Sequence, residues 1–233
     1  MNRESQYLVS LGEREKDKEF AFTMVIKPDI SKSLLAVHHR KTEGRSLVTK
    51  HIFLLQGAGA GAYEVDKQLA TSLSHSLGPQ YEVHYPALPH EEDASYEEWK
   101  HHLEKELATM QRPIVLVGHS VGASILIKWR SEMGAEKPIA GMFLLACPFW
   151  GGNGWRYSGY EKLMLPEDGA TNLSKGRQIF LYHCRDDATV PFDHLALYAQ
   201  TLPEATVREH DEGGHQFNND LSFVAEDIKS LSL

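Results

Sequence analysis

From about residue 50 onwards, short apolar runs alternate with longer segments whose apolar residues recur at helical spacing. The runs are typical of strands buried on both faces of a sheet, and the longer segments of amphipathic helices. Because strand–helix–strand units pack with right-handed crossovers, the alternation predicts a mostly parallel sheet with helices on both faces. The predicted strands span 51–55, 81–85, 114–117, 139–147, 178–183 and 206–210, and the predicted helices span 63–77, 93–110, 121–133 and 221–231.

The first 48 residues do not follow this alternation. Within them, residues 19–27 and 33–40 have the composition of strands, and the turn-forming pair Pro28-Asp29 separates them. We therefore predict an N-terminal extension, 1–48, that contains an antiparallel β-hairpin, followed by one α/β domain over residues 49–233.

A second departure lies inside the predicted domain, at residues 148–176. Five aromatic side chains stand among glycines and prolines in this segment, where a single crossover helix is expected. We predict a short lid or an irregular insertion over the strand ends. Phe149, Trp150 and Trp155 are the candidate substrate contacts, and packing among the aromatic rings explains them equally well.

Composition excludes several classes of protein. Lysine and arginine number 24 against 32 acidic residues, a net charge of -8, so a broad basic face for nucleic acid is not expected. Two cysteines, Cys147 and Cys184, are too few for a disulfide framework and predict free thiols in a reducing compartment. The N-terminal residues lack an apolar signal core, and the longest weakly polar run, about 12 residues, is too short for a bilayer. We expect a soluble cytoplasmic protein with a small-molecule substrate.

The most informative motif is Gly-His-Ser-Val-Gly at residues 118–122, which follows a buried strand and opens a helix. Small residues at Gly118 and Gly122 permit a sharp strand-to-helix turn that exposes the hydroxyl of Ser120. The turn also directs that hydroxyl toward the helix N-terminus, where backbone N–H groups stabilise an oxyanion. The alternative is an ordinary glycine-flanked turn with a serine N-cap.

A serine hydroxyl becomes a good nucleophile when a neighbouring base takes its proton, and an acid then orients the base. In folds of this kind the acid and the base follow the serine along the chain, each just after a later strand. Asp186 and Asp187 follow the strand 178–183, and both are candidates for the acid. For the base, His215 lies on a glycine-containing loop after the last strand, whereas the alternative, His210, falls within that strand.

A glycine-rich loop, Gln56-Gly-Ala-Gly-Ala-Gly61, ends the first strand of the domain. It lacks the lysine and serine of a phosphate-binding P-loop, and its glycine spacing is not that of a dinucleotide site. We interpret it as half of an oxyanion hole, formed by the N–H groups of Ala58 and Val121, with a purely structural turn as the alternative. The two histidine side chains within each of the pairs 38–39 and 101–102 point in different directions and cannot bind one ion together. No metal site and no cofactor are therefore expected.

Taken together, the motifs resemble those of the α/β-hydrolase superfamily. Within it, the stretches 81–89, 96–100, 144–150 and 215–220 are similar to the small bacterial serine hydrolases related to retinoblastoma-binding protein nine. The likeness covers residues from about 50 to 233. Gln56 stands where many relatives have histidine, and the first 48 residues lie outside the likeness.

The resemblance implies an α/β-hydrolase fold and a serine hydrolase, carboxylesterase-like, that cleaves a small ester or related acyl bond through an acyl-enzyme. It assigns Ser120 as nucleophile, His215 as general base and Asp187 as the residue that orients the base. We expect activity to rise through roughly pH 6–7, the range in which an unperturbed histidine loses its proton. The alternatives are a catalytically weak binding module on the same fold, or a thioesterase, amidase or peptidase with the same chemistry.

Overall fold

The computed structural model describes residues 49–133, 139–152, 155–166, 173 and 178–231. The hairpin predicted within residues 1–48 lies outside the described residues. The strands are β1 (Lys50–Leu55), β2 (Tyr81–His84), β3 (Ile114–His119), β4 (Ile139–Leu145), β5 (Gln178–Cys184) and β6 (Thr206–His210). The α-helices of the described residues are α1 (Ala62–Leu77), α2 (Tyr96–Thr109), α3 (Val121–Glu132), α4 (Asp193–Thr201) and α5 (Ser222–Ser230).

All six strands are parallel and form one sheet in the order β2-β1-β3-β4-β5-β6. The predicted α/β-hydrolase fold, a parallel sheet flanked by helices, is confirmed. Successive side chains of a strand point to opposite faces. On β1, Ile52 and Leu54 therefore belong to the hydrophobic cluster that includes α1 and α5, whereas Phe53 and Leu55 belong to the one that includes α2, α3 and α4. The sheet is covered on both faces, and its carboxyl edge carries the loops that hold the candidate site.

Several element boundaries differ from the prediction. Helix α2 begins at Tyr96 because Glu91–Asp93 form a separate 3-10 turn and Ser95 is extended. Strand β4 ends at Leu145 because Ala146 adopts a positive φ of 47°. Helix α4 was not predicted from the sequence, because two of its three buried residues, His194 and Tyr198, carry polar atoms and weaken the apolar pattern.

The predicted insertion at 148–176 is described over 148–152 and 155–166 and at residue 173. These two stretches contain one 3-10 turn, Glu161–Leu163, and neither an α-helix nor a strand, whereas residue 173 is helical. In the parts of the chain that the structure describes, no helix has the length and apolar character needed to cross a membrane.

Candidate active site

Ser120 lies in the sharp turn between β3 and α3, at the carboxyl edge of the sheet. Its backbone has φ 52° and ψ -123°, a conformation that is rare for a residue with a side chain. The N–H of Ser120 donates to the carbonyl of Leu145 at 2.8 Å, which fixes the turn to the end of β4. Strained backbone of this kind persists where the surrounding structure enforces it, and it occurs most often at functional sites.

The two glycines of the motif are required by close packing around the turn. A Cβ atom on Gly118 would lie 2.7 Å from the Cα of Ala123, and one on Gly122 would lie 2.1 Å from the carbonyl oxygen of Gln56. Both contacts involve backbone atoms, which cannot move aside as a side-chain tip can. This close packing explains why the sharp turn predicted from the sequence requires small residues at both positions.

His215 and Asp187 are brought together after β6 and β5. Asp187 Oδ2 accepts a hydrogen bond from His215 Nδ1 at 2.8 Å and faces His183 Nε2 at 3.2 Å. Its other oxygen, Oδ1, accepts the backbone N–H groups of Thr189 and Val190 at 2.8 and 2.9 Å. Burial opposes the charged carboxylate, but these donors outweigh burial and hold the pKa of Asp187 well below its usual value.

The two alternatives from the sequence have other positions. Asp186 does not contact the imidazole; it accepts the backbone N–H groups of Gly213 and Gly214 at 3.2 and 2.8 Å, which holds the loop that carries His215. The ring of His210 packs 4.2 Å from that of Phe223. Both neighbouring acids therefore act on the same histidine loop, Asp187 on its side chain and Asp186 on its backbone.

A buried pair, Asp66 and His119, joins the turn at Ser120 to His215 and was not predicted from the sequence. His119 Nδ1 lies 2.8 Å from Asp66 Oδ2, and His119 Nε2 lies 2.9 Å from the carbonyl oxygen of His215. Since both partners are acceptors, both ring nitrogens carry a proton and the ring is cationic. Burial opposes this charge, but the Asp66 carboxylate outweighs it and raises the pKa of His119.

This pair holds His215 beside the turn that carries Ser120. The rings of His119 and His215 are 4.7 Å apart, and His119 directly precedes Ser120 in the chain. Among the described residues the hydroxyl of Ser120 has no hydrogen-bond partner. The hydrogen bond between a catalytic serine and its base often forms only when substrate is bound, so the pairing of Ser120 with His215 stays a prediction of the sequence.

The loop after β1 brings Ala58 toward the turn. A Cβ atom placed on the neighbouring Gly57 would lie 3.3 Å from the Cβ of Ser120. The backbone N–H groups of Ala58 and Val121 donate to no described residue, so both remain able to donate to a ligand. Two such donors on either side of a nucleophile are the arrangement expected of an oxyanion hole.

Glu91 holds this loop in place through four contacts. Its carboxylate accepts the side-chain amide of Gln56 at 3.0 Å and the N–H groups of Gly61 and Tyr63, each at 2.7 Å. Its carbonyl accepts the N–H of Gly59 at 2.6 Å. Gln56, the residue that departs from the resembled family, is fully buried and bound on both sides, since its oxygen also accepts the N–H of Leu88 at 3.4 Å.

The three candidate substrate residues have different surroundings. Phe149 packs edge-on against Tyr198 with ring centroids 4.8 Å apart. Trp150 and Trp155 instead line a cavity of ≈ 250 Å³ together with Tyr160. Their indole N–H groups are buried and unpartnered among the described residues, so both are free to donate to a ligand.

Cysteine chemistry does not fit this site. Burial raises the pKa of Cys147 and Cys184 to about 12, so both remain thiols rather than reactive thiolates.

Among the histidine pairs noted in the sequence, His101 and His102 are neighbours on α2 whose rings meet edge to face at 6.3 Å. The other pair, at 38–39, lies outside the described residues.

The fold and the turn define the class of protein. The carboxyl-edge nucleophile turn, the parallel sheet and the histidine loop after its last strand are the features of an α/β-hydrolase. The sequence model of a family described as serine hydrolase matches residues 70–225, which is more than half of the chain. The chain therefore belongs to the serine hydrolase family, and the resemblance to relatives of retinoblastoma-binding protein nine is confirmed.

Solved structures with the same fold include hydrolases of low sequence identity. The esterase domain of a Rhodothermus marinus protein is 16% identical with a TM-score of 0.57, over 79% of this chain and 85% of that one. The ydeN gene product of B. subtilis is 18% identical with a TM-score of 0.57, over 78% of this chain and 98% of that one. No curated protein matches this sequence. At these identities the structural matches support the fold.

Proposed function

We propose that the protein hydrolyses a small ester or a related acyl bond, with Ser120 as nucleophile, His215 as general base and Asp187 as the orienting acid. The observation that carries this proposal is the 2.8 Å hydrogen bond between Asp187 and His215, beside the strained turn that presents Ser120. Membership of the serine hydrolase family supports the same reaction class.

The proposed reaction has two steps, acylation of the serine and hydrolysis of the acyl-enzyme. Ser120 Oγ attacks the substrate carbonyl carbon while its proton passes to His215 Nε2, and the carbonyl oxygen becomes an oxyanion. When the tetrahedral intermediate collapses, the bond to the leaving alcohol breaks and His215 returns the proton to it. Water then attacks the acyl-enzyme with His215 again acting as base, which releases the carboxylic acid and restores Ser120.

Two backbone donors, Ala58 and Val121, are proposed to stabilise the oxyanion. Such donors act strongly because they are fixed before the charge develops, and one of them is worth about 10²–10³ in kcat. Glu91 supplies this fixation for the Ala58 half of the hole, because it binds the loop on either side of that residue. The Val121 half is fixed by helix α3.

The pH dependence follows from the surroundings of His215. Burial, together with the positive charge on His119, lowers the pKa of His215 below its usual 6.5, although Asp187 opposes the shift. Because His215 acts only when neutral, kcat/KM should rise with pH, reach half its maximum below pH 6.5 and be level by about pH 7. Initial rates with a neutral ester between about pH 4.5 and 8.5 measure this profile.

Circular dichroism over the same range controls for unfolding on the acidic side. A profile that is flat across the range, or one whose midpoint lies above pH 7, would contradict the assignment of His215 as the buried general base.

The size of the aromatic cavity guides the choice of substrates. The proposal places the acyl group in the cavity of ≈ 250 Å³ that Trp150 and Trp155 line, although Ser120 and His215 are not among its lining residues. A cavity of this size is at or below the lower end of the usual range for ligand sites, so it suits a small group. We propose that Trp150 and Trp155 contact the substrate there. Phe149 packs on Tyr198 and does not line the cavity, so we do not propose it as a substrate contact.

A panel of p-nitrophenyl esters from acetate to decanoate tests this proposal, with thioester and aminopeptidase substrates alongside. We expect hydrolysis of the short esters, with kcat/KM falling as the acyl chain lengthens. A strong preference for decanoate would contradict the small cavity. Preference for a thioester or peptide would assign the same site to those substrates, and no turnover of any of them would favour a binding module.

We also propose a cytoplasmic protein whose partner is a small acyl substrate rather than nucleic acid or a membrane. The net charge of -8 is unfavourable for phosphate backbones. Cys147 and Cys184 are both buried and unpaired, as is usual in a reducing compartment.

A further inference from the structure

Three side chains of metal-ligand type meet on the first two strands of the sheet, away from the candidate active site. The parallel register pairs His51 of β1 with Glu82 of β2. Residues two apart on one strand share a face, so His84 lies on the same side as Glu82. Strand β2 is the edge of the sheet, which leaves this group open to solvent on one side.

The distances in this group match those between the ligands of a tetrahedral metal. His51 Nδ1 and His84 Nε2 are 3.0 Å apart. The two oxygens of Glu82 lie 3.5 Å from His51 Nδ1 and 3.7 Å from His84 Nε2. Ligand atoms about 2.0–2.1 Å from a tetrahedral Zn²⁺ lie about 3.3 Å from one another, which falls inside this range.

The three side chains differ in solvent exposure, so the group has a buried side and an open side through which an ion can enter. The side chain of His51 is 11% exposed, that of His84 is 30% exposed and that of Glu82 is 56% exposed. The innermost ligand is thus fixed by the sheet, while the carboxylate faces solvent. His51 precedes Gln56 by five residues along β1, roughly 16 Å, so the group is remote from the oxyanion loop.

We propose that His51, Glu82 and His84 bind a divalent transition-metal ion, Zn²⁺ in the first instance, with a fourth position open to water. Two imidazoles and one carboxylate form a ligand set that zinc accepts, whereas Mg²⁺ and Ca²⁺ prefer oxygen ligands. The ion would join the edge strand to its neighbour and so stabilise the sheet. Protons compete for the imidazoles, so affinity should fall on acidification.

Zinc titration of the full chain without an affinity tag, by isothermal calorimetry, tests this site. We expect a site of about one equivalent in the wild-type protein, and at least a 10-fold loss of affinity in His51→Gln and in His84→Gln. The control is the double variant His101→Gln/His102→Gln, which removes two neighbouring histidines from α2 and should bind zinc as the wild type does. Magnesium chloride should show no comparable binding.

Thermal unfolding provides a second readout. At zinc about 100-fold above its dissociation constant, the melting temperature of the wild type should rise by about 5 °C or more, and that of His84→Gln should not. If a histidine variant fails to fold, the half-exposed Glu82→Gln replaces it. Wild-type binding weaker than about 100 µM, or unchanged affinity in all three single variants, would show that the group is only a hydrogen-bonded pair of imidazoles beside a carboxylate.

Discussion

Replacement of Ser120 by alanine is expected to lower kcat by at least about 10⁴-fold without unfolding the protein. The substitution removes the only atom that forms the proposed acyl bond, and loss of a catalytic serine has an effect of this order because the remaining groups cannot substitute for it. Steady-state kinetics on the best short ester from the panel measures the loss.

The matched control is Ser74→Ala. Ser74 is an exposed serine on α1, and its hydroxyl makes no hydrogen bond with the described residues. This variant should keep wild-type kcat and KM. If Ser120→Ala retained more than about a tenth of wild-type kcat, the proposed mechanism would be wrong.

Replacement of Gly122 by alanine should be the most damaging single methyl addition in the nucleophile turn. The new Cβ would lie 2.1 Å from the carbonyl oxygen of Gln56 and 2.6 Å from that of Leu55, so α3 and the end of β1 would have to separate. We expect a loss of about 3 kcal/mol or more in the free energy of unfolding, measured by urea denaturation. Any folded fraction should also be a poor enzyme, because the movement separates Ala58 from Val121.

Gly61→Ala separates this clash from the general cost of replacing a glycine. Gly61 has the left-handed values φ 81° and ψ 6° at the start of α1, and a Cβ there would meet no atom within 4 Å. It should cost only about 1–2 kcal/mol, from backbone strain alone. Equal stability of the two alanine variants would mean that the close packing around Gly122 does not hold the turn.

The nucleophile turn was predictable from sequence because its chemistry is local. A buried strand, two glycines around Ser120 and a following helix all lie within a few residues of one another. His215 was similarly marked by the glycines before it. The choice between Asp186 and Asp187 depended on the resemblance, because the sequence does not show in which direction each of two adjacent loop residues points its side chain. In the structure each binds a different part of the histidine loop.

The supporting contacts could not be read from the sequence because they join distant segments. Asp66 and His119 are 53 residues apart, and Gln56 and Glu91 are 35 apart. A weak signal existed for Asp66, since it lies on the same helical face as the buried Leu69 and Leu73, where an acid must have a partner.

The group on β1 and β2 was missed for the same reason. His51 and Glu82 become neighbours only through the register of two parallel strands, which the spacing of apolar residues does not specify. The helix Asp193–Thr201 was missed because its apolar pattern is weak: of its buried residues only Leu195 is aliphatic, and the buried Leu202 lies after its end.

The most direct test of the proposed function is the identification of the residue that becomes covalently modified. The folded protein is treated with a fluorophosphonate, its intact mass is measured, and the modified peptide is sequenced by mass spectrometry. We expect one adduct per chain, on Ser120, with activity lost in proportion to labelling. The absence of an adduct on folded protein, or an adduct on another residue with Ser120 unmodified, would contradict a serine hydrolase mechanism at this site.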